Sequence, residues 1–89
     1  AQAKEVRRQR DLLQLALAVL PGVKPYPSQA NMILLRVPRA AHTFDRLKAR
    51  GVLVKNVSSM HPLLTNCLRL TVGTESENNQ LLLALQDAL

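Results

Sequence analysis

Eighty-nine residues, 47% of them hydrophobic and 20% charged, suffice for one small domain and are too apolar for a disordered tail. A single cysteine, Cys67, excludes an internal disulfide and a cysteine-cluster zinc site, and it fits a reducing compartment. The net charge of +6 raises nucleic acid as a partner, yet Tyr26 and Phe44 are the only aromatics, so bases find no stacking platform.

No apolar run nears the ~20 residues needed to cross a bilayer, and no signal-peptide pattern opens the chain. The expectation is a soluble, cytoplasmic protein with neither a nucleic acid nor a membrane as partner. The chain opens Ala-Gln-Ala-Lys, without an initiator methionine and inside a helix already under way, as a piece of a longer protein would.

Residues 3–20 read as a helix. Leu13, Ala16, Leu17 and Leu20 recur at the 3.6-residue period, and Val6 and Leu12 broaden the stripe. Lys4, Arg7, Arg8 and Arg10 load its first turns with positive charge, and the other basic residues look scattered. Pro21-Gly22 ends it, and residues 22–30 form a proline-rich connection. Asn31–Val37 is a nearly continuous apolar run, as in a strand covered on both faces.

Pro38 stops that run and suits the first turn of a helix at 39–50, with Ala40, Phe44 and Leu47 inward and Gly51 as a left-handed terminator. Val52-Leu53-Val54 is a short strand, and 56–66 is a polar, proline-broken loop. Strand 67–72 alternates, with Leu68, Leu70 and Val72 on one side and Arg69 on the other. Gly73-Thr74-Glu75-Ser76-Glu77 is a turn and capping box before a helix at 75–88, whose stripe is Leu81, Ala84, Leu85 and Ala88.

This order, a helix and then β-α-β-β-α, predicts a single two-layer α+β domain over 1–89, with 1–20 as a connecting helix. A helix between the first two strands favours a parallel pair with a right-handed crossover. With the last strand antiparallel, the expected sheet is mixed and three-stranded. One face of it lacks cover, to be filled by the first helix or by another domain.

Arg69 is the leading site candidate, since a guanidinium fixed on a strand is a pre-aimed fork for a carboxylate or phosphate. The competing reading is a surface ion pair. Lys55 follows the short strand and would face the same cleft if the two strands end together. Asn31 heads the first strand, as an amide donor or as a turn residue. His42 and His61 have no metal-ligand partners at suitable spacing. Ser58, Ser59 and His61 lack an acid to orient a base. Cys67 reads as packing. The chain has no phosphate-cradling glycine loop and no lysine in an apolar setting, hence no catalytic apparatus of its own.

The segments PSQANMILLRV (27–37), GVLVKNVS (51–58) and NCLRLTVGTESEN (66–78) resemble the C-terminal small domain of histidinol-phosphate aminotransferases, pyridoxal-phosphate enzymes of the class I/II aminotransferase superfamily. The resemblance covers nearly the whole chain. It implies that Arg69 grips the acidic end of the substrate, either the phosphate of histidinol phosphate or the α-carboxylate of glutamate. The residue after G-V-L-V is often arginine in that family and helps bind phosphate; Lys55 keeps the charge and loses the bidentate fork. Asn31 matches an active-site-facing asparagine.

The resemblance further implies a homodimer and pyridoxal 5'-phosphate held mainly by a large domain outside this chain. The reaction would be reversible amino transfer between L-histidinol phosphate plus 2-oxoglutarate and imidazole-acetol phosphate plus L-glutamate. This chain would supply anion recognition and cleft closure, and would be inactive alone. The rival readings are another class I/II aminotransferase, for example one acting on aromatic amino acids, and a free-standing binding module engaging an acidic partner.

Overall fold

Side-chain alternation along Cys67–Thr71 decides the architecture. Leu68 and Leu70 are fully buried on one face, and Arg69 and Thr71 are exposed on the other. The computed structural model describes residues 2–27, 31–52 and 54–89. Its elements are α1 (Gln2–Ala18), β1 (Lys24–Pro25), β2 (Met32–Arg36), α2 (Ala40–Ala49), β3 (Val54–Asn56), a 3-10 turn (Pro62–Leu64), β4 (Cys67–Thr71) and α3 (Glu75–Ala88).

The α+β class is as expected, but the sheet is not mixed and three-stranded. Four strands in the order β1-β2-β4-β3 pair antiparallel throughout. β4 inserts between β2 and β3, so the two strands joined by α2 run in the same direction without touching. The fourth strand, β1, comes from the proline-rich connection; Pro25 lacks an N–H, and an edge strand tolerates that. β3 lies two residues later than 52–54, because the Val52 N–H is taken by the Leu47 carbonyl at 3.0 Å, tying it to the end of α2. Leu53, assigned to that strand from the sequence, falls outside the described residues, as do Ser28, Gln29 and Ala30 of the 27–37 segment.

One continuous core joins Leu13 and Leu17 of α1, Ile33 and Leu35 of β2, Leu47 of α2, Leu68 and Leu70 of β4, and Leu81 and Leu85 of α3. The helices therefore lie on a single side of the sheet, and α1 does not fill the other. Packed chiefly against α3 and the β1-β2 edge, α1 buries a narrower stripe than its sequence suggests. Val6 and Leu12 stay 42% and 48% exposed. β2 is likewise covered on one face only: Ile33 and Leu35 are buried, Leu34 and Arg36 half-buried, and Met32 exposed.

The ends of the helices follow local chemistry. Gly51 has φ +76°, the left-handed terminator expected after α2. Pro38 precedes the N-cap Arg39 instead of entering the first turn, and Arg39 supplies no side-chain cap. The first N–H of α2, at Ala40, is satisfied by Asn66 Oδ1 at 3.2 Å, with Asn66 itself at φ 59°. Thr74 and Glu77 form a complete capping box at the start of α3. Beneath it, Asn78 is buried, bonded to both backbone groups of Gly73 and to Gln9 of α1.

Candidate functional site

Cross-strand register assembles a cluster of charge that the linear sequence conceals. Every acidic side chain in the chain lies on a helix, whereas the charged residues of the strands are all cations: Lys24, Arg36, Lys55 and Arg69. Lys24 pairs with Arg36, Arg36 with Cys67, Leu34 with Arg69, and Arg69 with Lys55. Antiparallel partners share a face, so all four cations project from the helix-free side. Four of the eight basic residues beyond α1 thus share one face, and the other four lie on α2 or at its ends.

Lys55 and Arg69 sit directly opposite each other, both exposed. Facing like charges destabilise a strand pair. Among the described residues neither makes a salt bridge; the three ion pairs, Arg8–Glu5, Arg10–Asp11 and Arg50–Asp87, are all on helices or their ends. The pair therefore presents an ammonium and a planar guanidinium side by side, without a protein counter-ion, as an anion of two or three oxygens requires.

Arg36, by contrast, is committed to the protein. Its Nη2 donates to the Leu63 carbonyl at 2.6 Å, and its guanidinium carbon stands 5.9 Å from the Tyr26 ring centre, with Lys24 Nζ at 5.5 Å. The Arg36 Nε is buried without a partner at hydrogen-bond geometry. The neighbouring Cys67 side chain is nonetheless the largest influence raising the guanidinium pKa, ahead of desolvation, which lowers it. Cys67 is fully buried although it lies on the helix-free face, because the loop after β3 folds over it: its Sγ reaches the Thr65 carbonyl at 3.7 Å.

Asn31 stands apart from the Lys55–Arg69 pair. It lies exposed in a bend before β2, at the Thr71 end of the sheet, and its carbonyl takes the Val72 N–H at 2.7 Å. His61 Nδ1 accepts the Leu63 N–H at 3.1 Å, which leaves the proton of the neutral ring on Nε2. His42 is exposed on α2. Among the described residues no group of three or more His, Cys, Asp or Glu side chains could hold a metal ion.

The face carrying Arg69 is open rather than a closed cavity. A hollow of about 500 Å³ lies at the edge between Arg50, Val52, Thr71, Glu77 and Leu81, and another of about 410 Å³ lies between α1 and Tyr26; neither is lined by Arg69 or Lys55. A ligand on the Lys55–Arg69 pair would need a second wall.

The aminotransferase class I and II model matches residues 1–85. The chain belongs to that family. A histidinol-phosphate aminotransferase of Polaromonas naphthalenivorans is 62% identical over 89 residues, covering all of this chain and 24% of that protein. Among solved structures, a decarboxylase from Sulfurospirillum multivorans superposes with a TM-score of 0.87 at 26% identity, over 94% of this chain and 25% of its own. An L-threonine-O-3-phosphate decarboxylase from Porphyromonas gingivalis superposes with 0.85 at 25% identity, over 94% and 27%. The chain thus spans about a quarter of the length of the curated relatives it matches.

Proposed function

We propose that this chain is the anion-gripping small domain of a histidinol-phosphate aminotransferase, one that transfers an amino group between L-histidinol phosphate and 2-oxoglutarate. The carrying observation is the Lys55–Arg69 pair, exposed, opposed and, among the described residues, without a counter-ion, on the sheet face the helices leave uncovered. The relative at 62% identity bears the same name, and the threonine-phosphate decarboxylase shares both the fold and a phosphorylated substrate in its name.

On this reading Arg69 receives the phosphate of histidinol phosphate in one half-reaction and the α-carboxylate of glutamate in the other. Lys55 adds a point charge to the larger anion. Asn31 approaches from the Thr71 end as a lesser contact. A large domain of the same protein closes over the open face, excludes water and completes the site, and the whole works as a homodimer in the cytoplasm.

Pyridoxal 5'-phosphate, the family's cofactor, supplies the electron sink for amino transfer. The residues here do not fit it: Lys4 and Lys48 are exposed on helices, Lys24 stands over the Tyr26 ring, and Lys55 is the substrate contact, so none is left for a covalent link. This chain's share is recognition, and the isolated chain is inactive.

The test is a pair of half-reaction assays on the full-length enzyme, with histidinol phosphate and with phenylalanine. Preference for histidinol phosphate supports the reading, and preference for phenylalanine replaces it with an aromatic aminotransferase. Arg69→Ala should lower kcat/KM about 100-fold, roughly 3 kcal/mol of lost charged hydrogen bonds. Near-normal kcat/KM would remove Arg69 from the site. A start codon immediately before Ala1, in place of a large domain, would favour a free-standing module.

A further inference from the structure

Arg36 lies on the same face as Arg69, yet its bonds point to a different task. It occupies the strand row of Cys67, and the row of Arg69 and Leu34 is two residues further along, roughly 7 Å away at the rise of an antiparallel strand. Over the Cys67 row runs the loop of residues 57–66, held there by several ties. Arg36 Nη2 bonds the Leu63 carbonyl at 2.6 Å, Cys67 Sγ meets the Thr65 carbonyl at 3.7 Å, and Ser58 Oγ donates to the Cys67 carbonyl at 3.3 Å. Only the first of these is charge-assisted and reaches the loop's middle. The Tyr26 ring helps fix the guanidinium that makes it. The loop keeps Met60 and Leu63 60% and 76% exposed.

We infer that Arg36 is a positioning residue: it latches the 57–66 loop across the sheet as the side wall of the Lys55–Arg69 anion site, and that wall favours phosphate monoesters over carboxylates. The inference rests on the reading of that pair as the substrate site. A carboxylate bound to Arg69 is planar and ends at its two oxygens. A phosphate monoester adds a bridging oxygen and a third terminal oxygen, so it extends further from the substrate carbon and fills more of the space up to the loop. A wall about two residues from Arg69 therefore touches the larger anion and misses the smaller one. With the latch cut, the loop loosens, and the phosphate ester loses contacts that glutamate never had.

Three variants of the full-length enzyme test this, with hydrogen–deuterium exchange at amides 57–66 as a readout independent of activity. Arg36→Met should speed exchange in the loop and raise KM for histidinol phosphate about tenfold, with kcat and the KM for glutamate within about twofold of the parent. Arg36→Lys, which keeps a charged donor, should recover most of both effects. Tyr26→Leu should shift both in the same direction by a smaller factor, and it carries the test should Arg36→Met fail to fold. Unchanged exchange overturns the latch. Faster exchange with an unaltered KM, or an equal rise for both substrates, overturns the wall. Arg69→Ala separates the underlying site reading: full activity in that variant defeats the site, and the exchange result on Arg36 still reports on the latch.

Discussion

The two faces of one four-stranded sheet follow opposite rules. On the helix-covered face Ile33, Leu35, Leu68 and Leu70 are fully buried, and the polar groups reaching that layer are satisfied: Thr43 Oγ1 bonds the Ala88 carbonyl, and Gln9 and Asn78 bond each other. On the other face, cations stand opposite cations. A face left to stability alone would not place Lys55 against Arg69. The contrast separates a face whose polar groups find partners within the fold from one whose charges, on the proposed reading, are left for a ligand.

The covered face should give the larger response. Leu70→Ala removes a fully buried side chain from the centre of the core and should cost about 2–5 kcal/mol, read as a lower urea midpoint. That is a large share of what an 89-residue domain has. The folded fraction should keep its substrate preference. A loss below ~1 kcal/mol would mean that the two faces are not energetically distinct.

Lys55 sharpens the contrast from the other side. Lys55→Thr removes a facing like charge and puts a good strand former in its place, so stability should rise by about 0.2–1 kcal/mol. The same change should weaken histidinol phosphate about tenfold and glutamate less. Equal weakening of both substrates would argue against a phosphate-specific role. A fall in stability would show that Lys55 has a structural task on the open face.

The elements read from sequence are those whose determinants are local. The capping box at Thr74 and Glu77, the terminator at Gly51, the α3 stripe and the alternation of Cys67–Thr71 each depend on residues a few positions apart. What escaped is non-local. Only pairing shows that β4 separates β2 from β3, and only the resulting register brings Lys24, Arg36, Lys55 and Arg69 to one face. Arg36 itself reads as an interruption in an apolar run, because its partner Leu63 is 27 residues away. The short strand β1 escaped for another reason: a two-residue edge strand ending in proline has no periodicity to detect.

The acidic residues divide the molecule as well, through the pH dependence of its stability. The Glu77 carboxylate is held below its usual pKa, first by accepting the Thr74 backbone N–H and then by its bond with the Thr74 side chain; Glu5 is lowered first by its bond from Gln9. Both lie on helices, and both bonds favour the charged form. A lowered folded-state pKa means the stabilisation is complete above the unfolded carboxylate pKa and is lost as pH falls through the lowered value. Acid should therefore loosen the helical layer while the cationic face stays charged. Thr74→Ala should cost about 1 kcal/mol at neutral pH, and Glu77→Gln should flatten the acid limb of a stability–pH curve measured by urea unfolding. Arg69→Ala should leave that limb unchanged. If the Arg69 variant altered the acid limb as much as Glu77→Gln, charges on the two faces would be coupled through the sheet, and the open face could not be treated as free of structural duty.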